Sequence, residues 1–483
     1  MDAQLRHILW TNDHLRLFCS LLLWFTIPYV STGCFSPHPT HLDRLIIGEV
    51  MQNSELTQNL RALCLPGGRL SGTDNAFIAE RYVLDKAREY GLRNGHLEAF
   101  AMPCWRATYT RVVRLADQEI PCEGALALCN TMSTPPGGIS APVLDVGDGN
   151  QEDFDLLNGE LKGRFALVRD GGRNRRSEKM DRALEHGAAG LVVISVADRA
   201  PVIGTAHHTP RPEPAVIISH EDGQTIAQAL AAGETVQLNI QISSESWDGE
   251  PHNAIAEIPG HGPHRDEMIL VCAHLDSWHL AEGAIDNGNG SAVILECARA
   301  LRAVDWRPRR TVRFIWFMAE EQDLRGSRAY VAAHQDELDR IVAMINIDMP
   351  GSPRALWTSG SPQFVERLQQ FRRGMAGYVL NEEIGRLSGT WSDHAPFVEA
   401  GVCGVTLGGE LGPGGRSYHT ANDKFECVDQ RATIESAAVL AVLVRQLADD
   451  LSLKPGRCLP DEPPASALTP ASATQSARLA GRH

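Results

Sequence analysis

Near-continuous apolar runs of strand length recur through the second half of the chain: Met268–Ala273, Thr311–Ala319 and Ile341–Ile347. Runs of that kind, without polar alternation, belong to strands buried on both faces of a parallel sheet. Between them the spacing becomes helical. Ser291–Arg302 turns Val293, Leu295, Ala298 and Leu301 toward one side, and Gly326–Leu338 forms a second helical stretch. Strand and helix in alternation predict a doubly wound α/β domain, an α/β/α sandwich on a mixed, mostly parallel sheet. Its ligand crevice lies beyond the carboxyl ends of the strands. Asn253–Ile258, closed by the turn Pro259-Gly260, opens this sheet. Gly401–Leu407, a glycine-rich loop from Gly408 to Gly415 and an apolar-striped helix over about Ala432–Leu451 close it.

A different pattern fills the stretch from about Pro121 to Asn239. Leu161–Arg169 and His186–Ile194 read as strand segments, joined through Gly171-Gly172 and a charged stretch with Lys179, Ala183, Leu184 and Gly187 at helical spacing. This predicts a smaller α+β domain inserted into the first. His207-His208 is read as a solvated loop rather than a ligand pair, because neighbouring side chains on an extended chain point apart and Thr209-Pro210-Arg211-Pro212 follows. The expected division is 1–34 as a signal or anchor segment, 42–120 and 246–455 as the two parts of the main domain, 121–245 as the insert, and 456–483 as a flexible tail biased toward Pro, Ala, Ser and Thr.

Composition narrows the class only a little. The chain has 483 residues, 43% of them apolar and 22% charged, enough material for two cores. A formal net charge of −15 argues against nucleic-acid partners, which call for basic patches. The one basic cluster, Arg173-Asn174-Arg175-Arg176, is read as a solvated loop. Leu17–Val30 is an apolar run preceded by Arg6 and Arg16 and followed by Ser31-Thr32-Gly33. It reads as an export signal, too short for a comfortable membrane span, with Cys34 as a candidate lipid anchor. A secreted or periplasmic protein, signal- or lipid-anchored, is the expected localisation. Of the eleven cysteines, Cys272 and Cys297 fall in apolar elements as buried thiols, and Cys104, Cys122 and Cys129 are candidates for pairing.

The chemistry sits at the ends of the apolar runs. His274 and Asp276 follow the first, Glu320-Glu321 the second and Asp348 the third; Asp286-Asn287-Gly288 precedes a helix, and His419 follows the glycine-rich loop. Imidazoles and carboxylates without a thiolate suit a divalent cation held for hydrolysis. Two adjacent carboxylates at a buried strand end repel each other unless a cation or proton compensates. A metal-dependent hydrolase is the reading from the residues alone.

These stretches resemble a known family. His274-Leu-Asp-Ser-Trp278, Gly283-Ala-Ile-Asp-Asn-Gly288, Ala319-Glu-Glu-Gln322, Asp348, Ser392–Phe397 and His419-Thr420, with Gly68–Gly72 and Leu97–Phe100 upstream, are similar to the co-catalytic zinc exopeptidases of the carboxypeptidase Q (plasma glutamate carboxypeptidase) type, over roughly Leu42 to Asp449. The insert resembles a protease-associated domain, which is expected to shape the mouth of the site or to contact a second copy in a homodimer. The resemblance implies two zinc ions bridged by Asp286, one also held by His274 and Asp348, the other by Glu321 and His419. Glu320 is then the general base, which takes a proton from a nucleophilic water acidified between the two metals and returns it to the leaving amine. Asp276 is expected to accept the other imidazole N–H of His274. The implied substrate is a short peptide, a dipeptide in the first instance. An aminopeptidase acting on longer peptides, a non-catalytic receptor-like ectodomain and a glutaminyl-cyclase-like acyltransferase are the competing classes. Asn287 stands where the type pattern has an acid. Asp393, Arg386 and Arg416 are candidates for holding a substrate terminus, by pairing with an ammonium or forking onto a carboxylate.

Overall fold

The structure, a computed structural model, describes residues 39–456 apart from 173, 198, 379 and 388–390. The expectations for the amino-terminal signal and for the tail beyond 456 fall outside the described residues. Among those described, no helix is long and apolar enough to cross a membrane.

Among the described residues, two eight-stranded mixed sheets carry the fold. The larger runs, edge to edge, through Arg93–Ala99, His252–Ile258, Thr311–Phe317, Met268–His274, Ile341–Asn346, Gly404–Glu410, Ser352–Thr358 and Gly385–Arg386. Its four central strands are parallel, and antiparallel strands extend it on both sides. Alternate residues of one strand feed opposite cores. Ile269, Val271 and Ala273 join the core under the helices His41–Asn53, Asn289–Ala303 and Gln430–Asp449, whereas Met268, Leu270 and Cys272 join Tyr330, Val331 and Phe397 on the other face. Burying both faces is what the unbroken apolar run required, at about 1.5–3 kcal/mol for each large side chain removed from water. The expected sandwich is therefore present. The helices Asn289–Ala303 and Gln430–Asp449 begin and end within about two residues of the sequence reading, whereas Arg325–Ala333 stops short of the expected end at Leu338.

The second sheet holds Phe165–Arg169, Gly190–Ile194 and Ala215–Ile218 in parallel beside Ile139–Gly147. Its spine is a long antiparallel ribbon formed by Met102–Leu115 and Gln237–Gly249. Met102–Leu115 was expected with the first part of the main domain, but its strand partners are in the second sheet. Half-buried alternating strands read alike wherever they pair, and the partner here is more than a hundred residues away. The thiols expected as disulfide candidates, Cys104, Cys122 and Cys129, are each buried and unbridged. The basic cluster is not wholly solvated either: Arg176 forms a bidentate pair with Asp170 at 2.7 and 2.9 Å.

Candidate metal centre

Parallel order brings the acidic and imidazole residues to one edge. His274 is the last residue of its strand, Glu320 and Glu321 lie just beyond the neighbouring strand Thr311–Phe317, and Asp348 lies just beyond Ile341–Asn346 on the other side. Asp286 comes from the turn Ala284–Gly288 that feeds the helix Asn289–Ala303, and His419 from the loop after Gly404–Glu410. Asp286 Oδ1 is 3.0 Å from His274 Nε2, and Asp286 Oδ2 is 3.0 Å from His419 Nε2. His274 Nε2 also lies 3.4 Å from Asp348 Oδ1, and His419 Nε2 lies 2.9 Å from Glu321 Oε2. Two groups result, His274–Asp286–Asp348 and Asp286–Glu321–His419, each with its donor atoms within 4.8 Å of one another. Asp286 belongs to both. Glu320 belongs to neither.

The side chains behind these groups are arranged more specifically than the sequence reading expected. His274 Nδ1 meets the backbone carbonyl of Asp276 at 3.1 Å, and the Asp276 carboxylate is farther off at 3.5 Å. That carboxylate accepts the backbone N–H groups of Glu320 and Glu321 at 3.2 and 3.3 Å. Two amides side by side at a strand end offer one donor to each oxygen, so Asp276 orients the imidazole with its backbone and the Glu320-Glu321 corner with its side chain. Asn287 donates to Ile347 O at 2.9 Å and accepts from the amides of Gly290 and Met349 at 3.1 Å each, which ties the Asp348 corner to the start of the helix. A Cβ at Gly290 would come within 2.2 Å of the Asn287 side-chain oxygen, so this approach requires glycine.

Two further residues were not singled out by sequence reasoning. Asp423 accepts from the amides of Ile285 at 2.7 Å and Asp286 at 3.0 Å. Arg69, fully buried, donates to the carbonyls of Leu275, Leu63, Glu282 and Gly283. The available signals were an acid four residues after His419 and a charged residue inside Gly68–Gly72, and neither reveals a backbone partner.

Left-handed φ values occur at Ala319 (59°), Met349 (49°) and His419 (58°), beside or at the candidate ligands. Such conformations cost about 1–3 kcal/mol each in a non-glycine residue and persist where surrounding contacts hold them.

The electrostatics call for positive charge. Asp286, Glu320, Glu321 and Asp348 place four carboxylates against two imidazoles. Burial works against a charged imidazole at His419, yet Glu321 and Asp286 beside it win and raise its pKa to about 10. His274 is likewise raised, by Glu320 and Asp348 against its burial. Burial pushes the Glu321 carboxyl up to about 7 and Glu320 well above the carboxylate range, with Asp348 and Glu321 repelling the Glu320 charge further. Glu321 Oε1 is buried with no hydrogen-bond partner among the described residues, and His274 Nε2 and Asp348 Oδ1, also buried, have only the imidazole–carboxylate approaches given above. Divalent cations fit this set, since they supply the missing charge and take the unpartnered atoms as ligands.

The remaining expected residues lie elsewhere. Asp393 is fully buried behind the site, and burial raises its carboxyl to about 7; Arg386 and Arg416 are exposed. A substrate ammonium cannot reach a carboxylate shut off from solvent, so Asp393 is not placed for that contact. Tyr418 stacks on the His419 ring, centroids 3.7 Å apart. His207 corrects its expectation: it is 2% exposed, with Nε2 3.0 Å from Glu213 O, while His208 pairs with Asp323 at 2.9 Å. The loop turns His207 inward against the insert's own Asn130 and Glu213 and leaves His208 exposed beside Asp323.

Residues 253–444 match the profile of peptidase family M28, and residues 118–226 match the PA domain. Aminopeptidase YwaD of Bacillus subtilis (strain 168) is 30% identical over 337 residues, which span 66% of this chain and 69% of that protein. The chain belongs to peptidase family M28. Carboxypeptidase Q of Mus musculus is 26% identical over 399 residues, 79% of this chain and 83% of that protein. Among solved structures, the peptidase M28 precursor of Shewanella amazonensis SB2B superposes with a TM-score of 0.76 at 23% identity, covering 86% of this chain and 98% of its own. BSAP, a zinc aminopeptidase of Bacillus subtilis, does so with a TM-score of 0.61 at 25% identity, covering 85% and 98%. The family resemblance expected from the site stretches therefore holds, together with the fold and the class of enzyme, a metallo-exopeptidase.

Proposed function

We propose that this peptidase is a two-zinc exopeptidase that hydrolyses short peptides, dipeptides foremost, with Glu320 as its general base. The observation that carries the reading is the division of one carboxylate: Asp286 presents one oxygen to the His274 imidazole and the other to the His419 imidazole, each at 3.0 Å. His274, Asp286 and Asp348 would hold one ion, and Asp286, Glu321 and His419 the other. The imidazole–carboxylate donor set suits zinc, and BSAP, similar in fold, is a zinc aminopeptidase. When bound, such ions polarise a scissile carbonyl and acidify water.

The chain's own groups supply the rest. Glu320 stands beside both ligand groups without belonging to either, and its raised pKa suits a carboxylate that takes a proton from attacking water and returns it to the leaving amine. Asp276 fixes the Glu320 and Glu321 backbone, so base and ligand keep a constant offset. Relatives named for carboxypeptidase and for aminopeptidase activity both resemble this chain, and a dipeptide presents both termini at once. Free, amino-blocked and carboxyl-blocked dipeptides, assayed with and without added zinc, test the proposal. Zinc-dependent cleavage of the free dipeptides is expected; an absence of zinc-dependent turnover on every short peptide would overturn it.

A further inference from the structure

The two ligand groups are supported by different parts of the chain. Around His274 and Asp348 the supporting bonds come from the catalytic sheet and its helix: Asp276 O lies 3.1 Å from His274 Nδ1, and Asn287 binds Ile347 O and the Met349 amide on either side of Asp348. Around Glu321 and His419, beside the Asp276 carboxylate on the Glu321 amide, they come from the inserted domain. His419 Nδ1 is 3.1 Å from the carbonyl of Ile203, and the Ile203 amide returns a bond to the His419 carbonyl at 3.0 Å. The Thr205 hydroxyl donates to the Glu321 carbonyl at 3.2 Å. One short insert segment therefore touches Glu321 and His419, the two residues that the second group does not share with the first.

That segment is itself anchored inside the insert. Arg176 clasps Asp170 with two donors and uses a third, Nη1, on the Val202 carbonyl at 3.0 Å. A Cβ at Gly204 would meet Arg176 Nη1 at 2.5 Å, so glycine is what lets the guanidinium lie against the loop. The Cys129 amide holds the Gly204 carbonyl at 2.9 Å. His208 against Asp323 and the Arg325 guanidinium on the His208 carbonyl fasten the far side to the segment that follows Glu321.

We infer that the inserted domain is a positioning element for one metal only: Ile203 and Thr205 complete the Glu321–His419 half of the site, and Arg176 holds them there through Val202. A ligating imidazole needs its second nitrogen engaged to fix tautomer and ring orientation, and removing such partners weakens metal binding by about 10–100-fold. A shift of the insert against the catalytic sheet would loosen one ion and leave its neighbour. This inference rests on the two-zinc reading.

Metal content separates the two claims. Wild-type chain, Thr205→Val and Arg176→Met are dialysed against graded chelator, and zinc per chain is measured by atomic absorption, with thermal unfolding followed in parallel. Wild type should hold two equivalents. Thr205→Val, nearly isosteric, should lose one of them at about 10-fold less chelator demand while keeping the other at the wild-type value, and Arg176→Met should do so at least as strongly. Arg182→Ala, which alters an insert side chain directed at Gly149 and Asn174, should leave both equivalents unchanged. If wild type holds two ions and Thr205→Val holds both as tightly, the inference fails and the two-zinc reading stands. If wild type holds only one, both fail.

Discussion

Asp423 accepts the backbone N–H of Asp286 at 3.0 Å, so the residue shared by the two ligand groups is set by a carboxylate outside both. Its other oxygen takes the Ile285 amide at 2.7 Å, and its own carbonyl takes those of Glu282 and Gly283. Asp423→Asn turns one acceptor into a donor facing an amide that can only donate. Metal affinity should fall about 10–100-fold at both half-sites together, the range for lost partners of ligands. Isothermal titration of the metal-free chain checks this; loss at one site alone would mean that Asp286 is not shared.

Glu320 and Glu321 should part company on substitution. Glu320→Gln should keep about two metal equivalents and lose roughly 10²–10⁴-fold in kcat, the contribution of a general base. Glu321→Gln should instead lose one equivalent. Metal analysis beside steady-state kinetics checks both, and the reverse pattern would exchange the two roles.

Asn287→Ala should act on the opposite half from the insert variants. It leaves the Ile347 carbonyl and the Gly290 and Met349 amides without their side-chain partner in a buried place. The expected cost is about 1–3 kcal/mol for each group left unsatisfied, read as a lower denaturant midpoint. Weaker retention of the ion on the His274–Asp348 side should accompany it.

Acid should loosen the insert through the pair that anchors its loop. Burial opposes the charge on Asp170, but the Arg176 guanidinium outweighs it and holds the carboxyl below its ordinary range. A carboxyl whose folded pKa is depressed adds stability above its unfolded pKa of about 3.9 and loses it as pH falls toward the folded value. Asp170→Asn should therefore be less stable than wild type at neutral pH, and the gap should close below about pH 4. Parallel denaturant titrations at several pH values check the convergence; a constant gap would mean that the pair does not titrate as a unit.

Much of the catalytic half was legible in the chain itself. Unbroken apolar runs can be satisfied only by burial on both faces, and in a doubly wound sheet this brings the residues after each run to one edge. His274, Glu320, Glu321 and Asp348 could be singled out because their strand ends are local events, written within a few residues of the side chain. The strand Met102–Leu115 could not be assigned in this way. Its alternation fits either sheet, and only pairing with Gln237–Gly249 decided the matter.

Residue types and local periodicity by themselves determined the parallel sheet, the inserted unit and the candidate ligands, since each depends on side-chain chemistry and short-range spacing. Tertiary structure alone decided how that set is held. Asp276 uses its carbonyl on His274 and its carboxylate on two amides, Asp423 and Arg69 work on backbone groups, and Ile203 reaches His419 through its carbonyl. Every residue but proline carries the same backbone donor and acceptor, so a contact to one leaves no mark in the sequence. Only the folded path of the chain says which of them meet.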